Sequence, residues 1–350
     1  MIDSPHSGHP DQTDPLPDVL PLSSKPTTFG LILGWVSGIL ILAGLVGFIL
    51  HFGDLAVFIS TLRAADPLWL GAALLSQVVT YAFAAAIWAT VLGKTGFQRR
   101  ALDLLGLAVV ELFANQAIPT GGLSGSIMVV HGLIRRAVPS AIAVTALLIA
   151  ALSYYTAYLL VANVAFILLW HNGDLSDAWF SLSIAFAVVI IVIAALLLIV
   201  IHSGLRLVPK SILAWRPAAR LAEMLRNVRA DIVGDVGILS QTVALQSAIF
   251  LFDAATLWLT LRAIGIDIAP ANAFVSFVLA SVVATLSPLP LGLGTFEGTC
   301  VGVLHLLGVQ TEAGLAATLI FRGCTLWLPM LPGLWLIRRE TKAVGTNVTR

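Results

Sequence analysis

Long apolar stretches separated by short polar ones set the pattern of this chain. They run Phe29–Leu50, Pro67–Leu92, Ala101–Ile118, Val138–Trp170, Ala178–His202, Ile238–Ile264, Ala271–Ser287 and Ala313–Ile337, with shorter pieces at Ser126–Leu133 and Phe296–Leu307. A hydrocarbon core about 30 Å thick is crossed by roughly 20 helical residues, and several of these stretches reach that length. None shows the period-two alternation of a membrane strand. The pattern predicts an all-α polytopic membrane protein. Composition agrees, with 59% hydrophobic and 11% charged residues and a mean hydropathy of +0.98.

The ends read differently. Residues 1–28 carry Asp3, Asp11, Asp14, Asp18 and several prolines, a composition that cannot bury a core and predicts a disordered cytoplasmic tail. No basic n-region precedes Phe29, so the first apolar run is expected to stay as a span rather than leave as a signal peptide. Residues 29–340 form a single transmembrane domain interrupted by a basic, partly amphipathic connector at 203–237, and 341–350 are a second cytoplasmic tail. Cys300 and Cys324 lie in apolar segments without CxxC or Cys/His spacing. They read as packing residues, and no metal or cofactor is expected.

Charge placement orients the spans, because Lys and Arg accumulate on the cytoplasmic side. Lys94, Arg99 and Arg100 mark one connection as cytoplasmic. Arg206, Lys210, Arg216, Arg220, Arg226 and Arg229 do the same for the long connector, and Arg338, Arg339 and Lys342 for the C-terminal end. The linkers His171–Asp177 and Gly265–Pro270 contain no Lys or Arg and are expected outside. If Ala101–Ile118 crossed fully, Arg135 and Arg136 would be external and the rule would fail. The conflict disappears if Ala101–Ile118 with Ser126–Leu133 forms a re-entrant hairpin from the cytoplasmic side. By the same logic Ala271–Ser287 with Phe296–Leu307 forms one from outside. Six full crossings, two opposed hairpins and two cytoplasmic termini result, with Arg63 and Arg262 as isolated external exceptions. Eight spans with short dips are the alternative. The expected location is the inner cell membrane.

Both hairpins turn on proline-led, glycine-rich segments, Pro119-Thr-Gly-Gly-Leu-Ser-Gly125 and Pro288-Leu-Pro-Leu-Gly-Leu-Gly-Thr-Phe-Glu-Gly298. Proline removes a backbone donor and glycine relaxes φ. Such breaks survive at membrane depth only where protein or water covers the freed groups. Paired breaks in the two halves of a chain point to an inverted repeat with a binding site at its centre. Ionisable groups inside the apolar segments reinforce this, since each costs roughly 2.5–3.5 kcal/mol on insertion scales. Glu111 lies one turn before Asn115, Asp253 sits midway along its span, and Arg322 has no carboxylate one turn away. Its partner must come from elsewhere in the fold: Glu297, or else Glu111 or Asp253. A Glu297–Arg322 pair reads equally as a structural clamp and as an anion site, because a guanidinium suits phosphate. Half-helix N-termini behind both turns would aim N–H groups at the same anion. Ser153, Tyr154, Tyr155, Thr156 and Tyr158 either line a polar cavity or pack between helices. Trp69, Trp88, Trp170 and Trp179 read as interfacial anchors.

Taken together, Asn115 with Pro119-Thr-Gly-Gly122, Pro290-Leu-Gly-Leu-Gly-Thr-Phe-Glu297, and Arg322 followed by Trp327-Leu-Pro329 resemble the transmembrane domain of lysylphosphatidylglycerol synthases and the flippase-like family built on it. The resemblance covers most of residues 29–340, and the Gly-Leu-Gly-x-Phe-Glu turn is its most specific part. Ser126 stands where a basic residue is expected close to the first turn. In the full-length synthases this domain moves aminoacylated phospholipid across the bilayer and a cytosolic domain makes it. With the chain ending at Arg350, the resemblance implies lipid translocation and not lipid synthesis.

The sequence therefore predicts a lipid translocase that moves an amphiphile with an anionic head group. The substrate-binding candidates are Glu111, Asn115, Pro119, Gly121, Gly122, Tyr155, Gly292, Gly294, Glu297 and Arg322. Membrane lipid is the expected partner, with a cytosolic lipid-modifying enzyme or glycosyltransferase as a second one and no nucleic acid. No Walker motif is present, so ATP hydrolysis by this chain is not expected. Two other classes stay open: an intramembrane head-group or glycosyl transferase, for which no paired-acid constellation stands out, and a lipid-binding scaffold for a cytosolic enzyme.

Overall fold

The computed structural model describes residues 60, 63–117, 123–171, 177–203, 228, 230–287 and 292–327. The chain divides into units 1–42 and 43–350, and every described residue lies in the second. Helices are α1 (Pro67–Lys94), α2 (Ala101–Ala117), α3 (Leu123–Arg135), α4 (Ser140–His171), α5 (Asp177–Ser203), α6 (Ala230–Val233), α7 (Val236–Ala263), α8 (Pro270–Leu286), α9 (Thr295–Leu306) and α10 (Thr311–Arg322). A π-helical turn, Gly323–Trp327, continues α10. The described residues contain no strand. This is an all-helical protein, and α1, α4 and α7 are each long and apolar enough to cross a membrane.

Local chemistry explains where the long helices start. Asp66 accepts the Leu68 N–H at 2.8 Å, and Pro67 opens α1 with a φ already suited to a helix. Asp235 caps α7 by accepting from Gly237 and Ile238 at 2.8 and 3.1 Å. Pro270 opens α8 in the same way as Pro67 opens α1.

Helix α4 is the spine. Its first half, Ile142 to Leu152, packs with the ends of α1 and α3 and the first halves of α2 and α7 in one buried cluster. Its second half, Ala157 to Leu169, packs with α5, α7, α8, α9 and α10 in another. Helix α1 lies along α7, with partner numbers falling as α1 numbers rise: Asp66 N–H to Ala263 O, Trp69 against Trp258, Gln77 to Asp253. The two helices are therefore antiparallel. Contacts of Asp103 with Arg136 and Glu111 with Ser126 show the same for α2 and α3. Phe277 against Phe296 and Ala284 against Gly292 show it for α8 and α9.

Two differences from the sequence reading stand out. The last apolar run is not one regular helix, because winding changes from α to π directly after Arg322. The second pieces of both hairpins begin earlier than the apolar runs suggest, at Leu123 and Thr295, because the helices start on turn residues. Phe29–Leu50, both tails and nearly all of the 203–237 connector lie outside the described residues.

Candidate functional site

The second broken turn builds an ion pair. Gly292 has φ +60° and Gly294 φ +81°, conformations that L side chains rarely adopt. A Cβ on Gly292 would stand 2.5 Å from the Cβ of Ala284, so the chain doubles back tightly against the end of α8. The Thr295 hydroxyl donates to Gly292 O at 2.9 Å, and α9 begins. Glu297, the third residue of α9, folds back on that start: its Oε2 accepts the Gly294 N–H at 2.7 Å. A carboxylate there also meets the positive end of the helix dipole. Its other oxygen, Oε1, accepts from Arg322 Nε at 2.5 Å. The guanidinium carbon of Arg322 sits 4.8 Å from the ring centroid of Phe296, which stacks on Phe321 at 5.7 Å.

Glu297 is 2% exposed. Removing one partner of such a buried pair leaves an uncompensated charge and costs about 3–5 kcal/mol. The structure selects Glu297, among the three carboxylates considered, as the partner of Arg322. It also corrects one expectation: the Gly294 N–H at the start of α9 already serves Glu297 and is not left for a ligand.

The first helix pair holds Glu111 differently. Trp88 Nε1 on α1 donates to Oε2 at 3.2 Å, and the Ser126 hydroxyl on α3 donates to Oε1 at 3.3 Å. Trp88 is only 2% exposed, so it is an interior hydrogen-bond donor rather than an interfacial anchor. Ser126, standing where a basic residue was expected, supplies the other donor. Asn115 lies on α2 one turn after Glu111, with its side chain outside those described, and Pro119, Gly121 and Gly122 fall outside the described residues. Tyr155 is not part of either group. Its ring packs against Tyr154 at 5.4 Å, beside the buried cluster built on the second half of α4.

Its neighbours are packing groups. Tyr158 stacks on Phe250 and pairs with the Thr285 hydroxyl at 3.0 Å, and Ser153 pairs with Thr242 at 2.6 Å. Arg262 is held by Asp267 at 2.8 Å, and its guanidinium lies 5.2 and 6.0 Å from the rings of Trp258 and Trp69. Its charge is thus answered locally, on whichever side of the membrane it lies.

A third polar group was not expected as a unit. Gln77 on α1 donates to Asp253 Oδ1 at 2.9 Å and to the Thr256 hydroxyl at 3.0 Å, and the buried hydroxyl of Tyr81 has no hydrogen-bond partner. Only the α1–α7 packing brings these residues together. In sequence Gln77 and Tyr81 are two polar residues in an apolar run, with nothing to connect them to Asp253.

An all-helical membrane protein that places three carboxylates among its helices, one of them buried and ion-paired at a glycine-broken turn, is the class defined by this fold. The chain belongs to the lysylphosphatidylglycerol synthase transmembrane-region family, whose model matches residues 35–333. No curated protein matches the sequence.

Proposed function

We propose that this chain is a lipid translocase, and that the amphiphile it moves between leaflets carries an anionic head group recognised at the Glu297–Arg322 pair. The observation that carries the reading is that pair: a buried carboxylate and a partly buried arginine at the tip of a glycine-broken helix pair, inside a protein whose surroundings are apolar. Arg322 is the head-group contact, and Glu297 orients it while pinning the start of α9. The π turn immediately after Arg322 supports a site there, since π winding inside α-helices is frequent at functional positions.

Helix lengths support six crossings with two re-entrant hairpins in preference to eight spans. At 1.5 Å per residue, the 13 residues of α3 and the 12 of α9 extend about 20 and 18 Å, short of a ~30 Å hydrocarbon core. The helix series also supports an inverted repeat. The starts of α1 to α4 (Pro67, Ala101, Leu123, Ser140) recur at near-constant spacing as those of α7 to α10 (Val236, Pro270, Thr295, Thr311). Phe83 and Phe252 hold the same position in α1 and α7 and touch each other, centroids 5.3 Å apart, as residues astride a two-fold axis do. The broken hairpins then approach the midplane from opposite faces, Glu111 at one and Glu297 at the other, while acyl chains stay in lipid.

The test is leaflet exchange of head-group-labelled lipids in liposomes containing the purified protein. One anionic class should exchange faster than in empty liposomes. A hydrogen bond to a charged group contributes about 1.5–3 kcal/mol, so Arg322→Ala should slow that exchange at least ~10-fold. Equal rates for folded wild type and empty liposomes across all classes would refute the reading.

A further inference from the structure

Glu111, Asp253 and Glu297 all lie among apolar helices, Glu297 buried and the other two partly buried, yet they are treated unequally. Glu297 has an arginine. Asp253 has one neutral amide donor, Gln77, on Oδ1, and among the described residues no cation interacts with it. Gln77 is itself buried and divides its amide hydrogens between Asp253 and Thr256. Within electrostatic reach of Asp253 stand Tyr81 from α1 and Tyr154 from α4. Tyr81 in turn interacts with Cys324 of the π turn. Helix α8, also packed on α7, contains no titratable side chain. Arg322 of α10 is bound to Glu297 of α9.

A helix contact alone needs no acid here, since an amide would bond Gln77 as well. An acid with only neutral partners at membrane depth costs roughly 2.5–3.5 kcal/mol on insertion scales while charged, and a proton removes that charge. The Tyr81 hydroxyl, buried and without a partner, can donate to the ionised carboxylate or accept from the protonated one.

We infer that Asp253, with Gln77 and Tyr81, is a proton-binding site, and that its loading couples the lipid movement proposed above to a proton gradient. Gln77 holds Oδ1, and Oδ2 takes a proton from hydronium, forming an O–H bond and releasing water; the reverse step returns the proton on the other side. The protonation rests on the geometry around Asp253 alone, and the coupling rests on the translocase reading. The site lies between α1 and α7, the two helices that relate the halves of the molecule, so a change of charge there acts on the contact that alternating access must rearrange.

Infrared difference spectra of the full chain in liposomes, recorded between acid and neutral buffer, read the site without any lipid assay. Glu111, whose donors Trp88 and Ser126 are also neutral, is expected to give a band of its own. A separate protonated-carboxyl band should appear on acidification, vanish in Asp253→Asn, persist in Glu111→Gln and Glu297→Gln, and shift in Tyr81→Phe. In parallel, leaflet exchange should respond to an imposed pH gradient in wild type and lose that response in Asp253→Asn. Carboxyl bands that are all unchanged by Asp253→Asn overturn the site, as does an Asp253 band that follows sodium rather than pH. A band that behaves as expected in a protein that moves no lipid keeps the proton site and discards the translocase. Gradient-driven exchange that survives in Asp253→Asn keeps the translocase and discards the coupling.

Discussion

Glu297 serves two masters, the backbone of Gly294 and the side chain of Arg322. Arg322→Ala leaves a buried carboxylate with its cap but no cation, and Glu297→Ala removes the cap as well. Each should cost about 3–5 kcal/mol if charge burial dominates, read as a large drop in the thermal midpoint of the detergent-solubilised protein. Glu297→Gln with Arg322→Met removes both charges together. It should recover most of that loss in stability without recovering lipid exchange. Recovery of exchange along with stability would make the pair a clamp and nothing more. This pair was half legible in sequence: Arg322 has no neighbour of opposite sign one turn away, so a distant carboxylate was required. Choosing among Glu111, Asp253 and Glu297 needed the helix packing. Trp88 was misread because tryptophans near span ends are usually interfacial, and nothing local reveals that Glu111 needs its indole N–H.

The elements carry their own tests. A methyl group on Gly292 meets Ala284 at 2.5 Å and strains a φ of +60°, whereas Gly294 has open space and only the φ penalty. Gly292→Ala should therefore destabilise more than Gly294→Ala in the same thermal assay, and Ala284→Gly should partly rescue the first variant and not the second. Equal losses with no rescue would show that the turn is looser than described. The re-entrant hairpins predict the accessibility of their ends. Cysteines placed at the exposed positions Gln98 and Pro139, on a background without Cys300 and Cys324, should react with an impermeant thiol reagent from the cytoplasmic side alone. Cysteines at Ala269 and Gln310 should react from outside alone. A hairpin whose two ends label on opposite faces is a span instead. Existence, type and order of these helices were plain from hydropathy, because apolar runs of this length admit little else in lipid. The π turn was not, since Gly323–Trp327 reads as ordinary helix and its winding is decided by packing next to Arg322.

At the scale of the whole molecule, α4 ties together two buried clusters, and the antiparallel α1–α7 pair joins two similar helix series. The proposed alternating access would use two short antiparallel helix pairs, α2 with α3 and α8 with α9, and a central contact whose polar core is Gln77 with Asp253. Repeated interruptions of the apolar pattern suggested two halves in sequence, whereas the α1–α7 contact was hidden, because antiparallel register between distant helices leaves no local mark. The central claim is that the anionic head group passes by Arg322. The most direct test is leaflet exchange of labelled anionic lipid, comparing wild type, Arg322→Ala, and Gly292→Ala as a destabilised variant with the pair intact. Exchange should be fast in wild type, persist in folded Gly292→Ala, and fall at least ~10-fold in folded Arg322→Ala, the loss expected for one hydrogen bond to a charged group. Undiminished exchange in folded Arg322→Ala would contradict it.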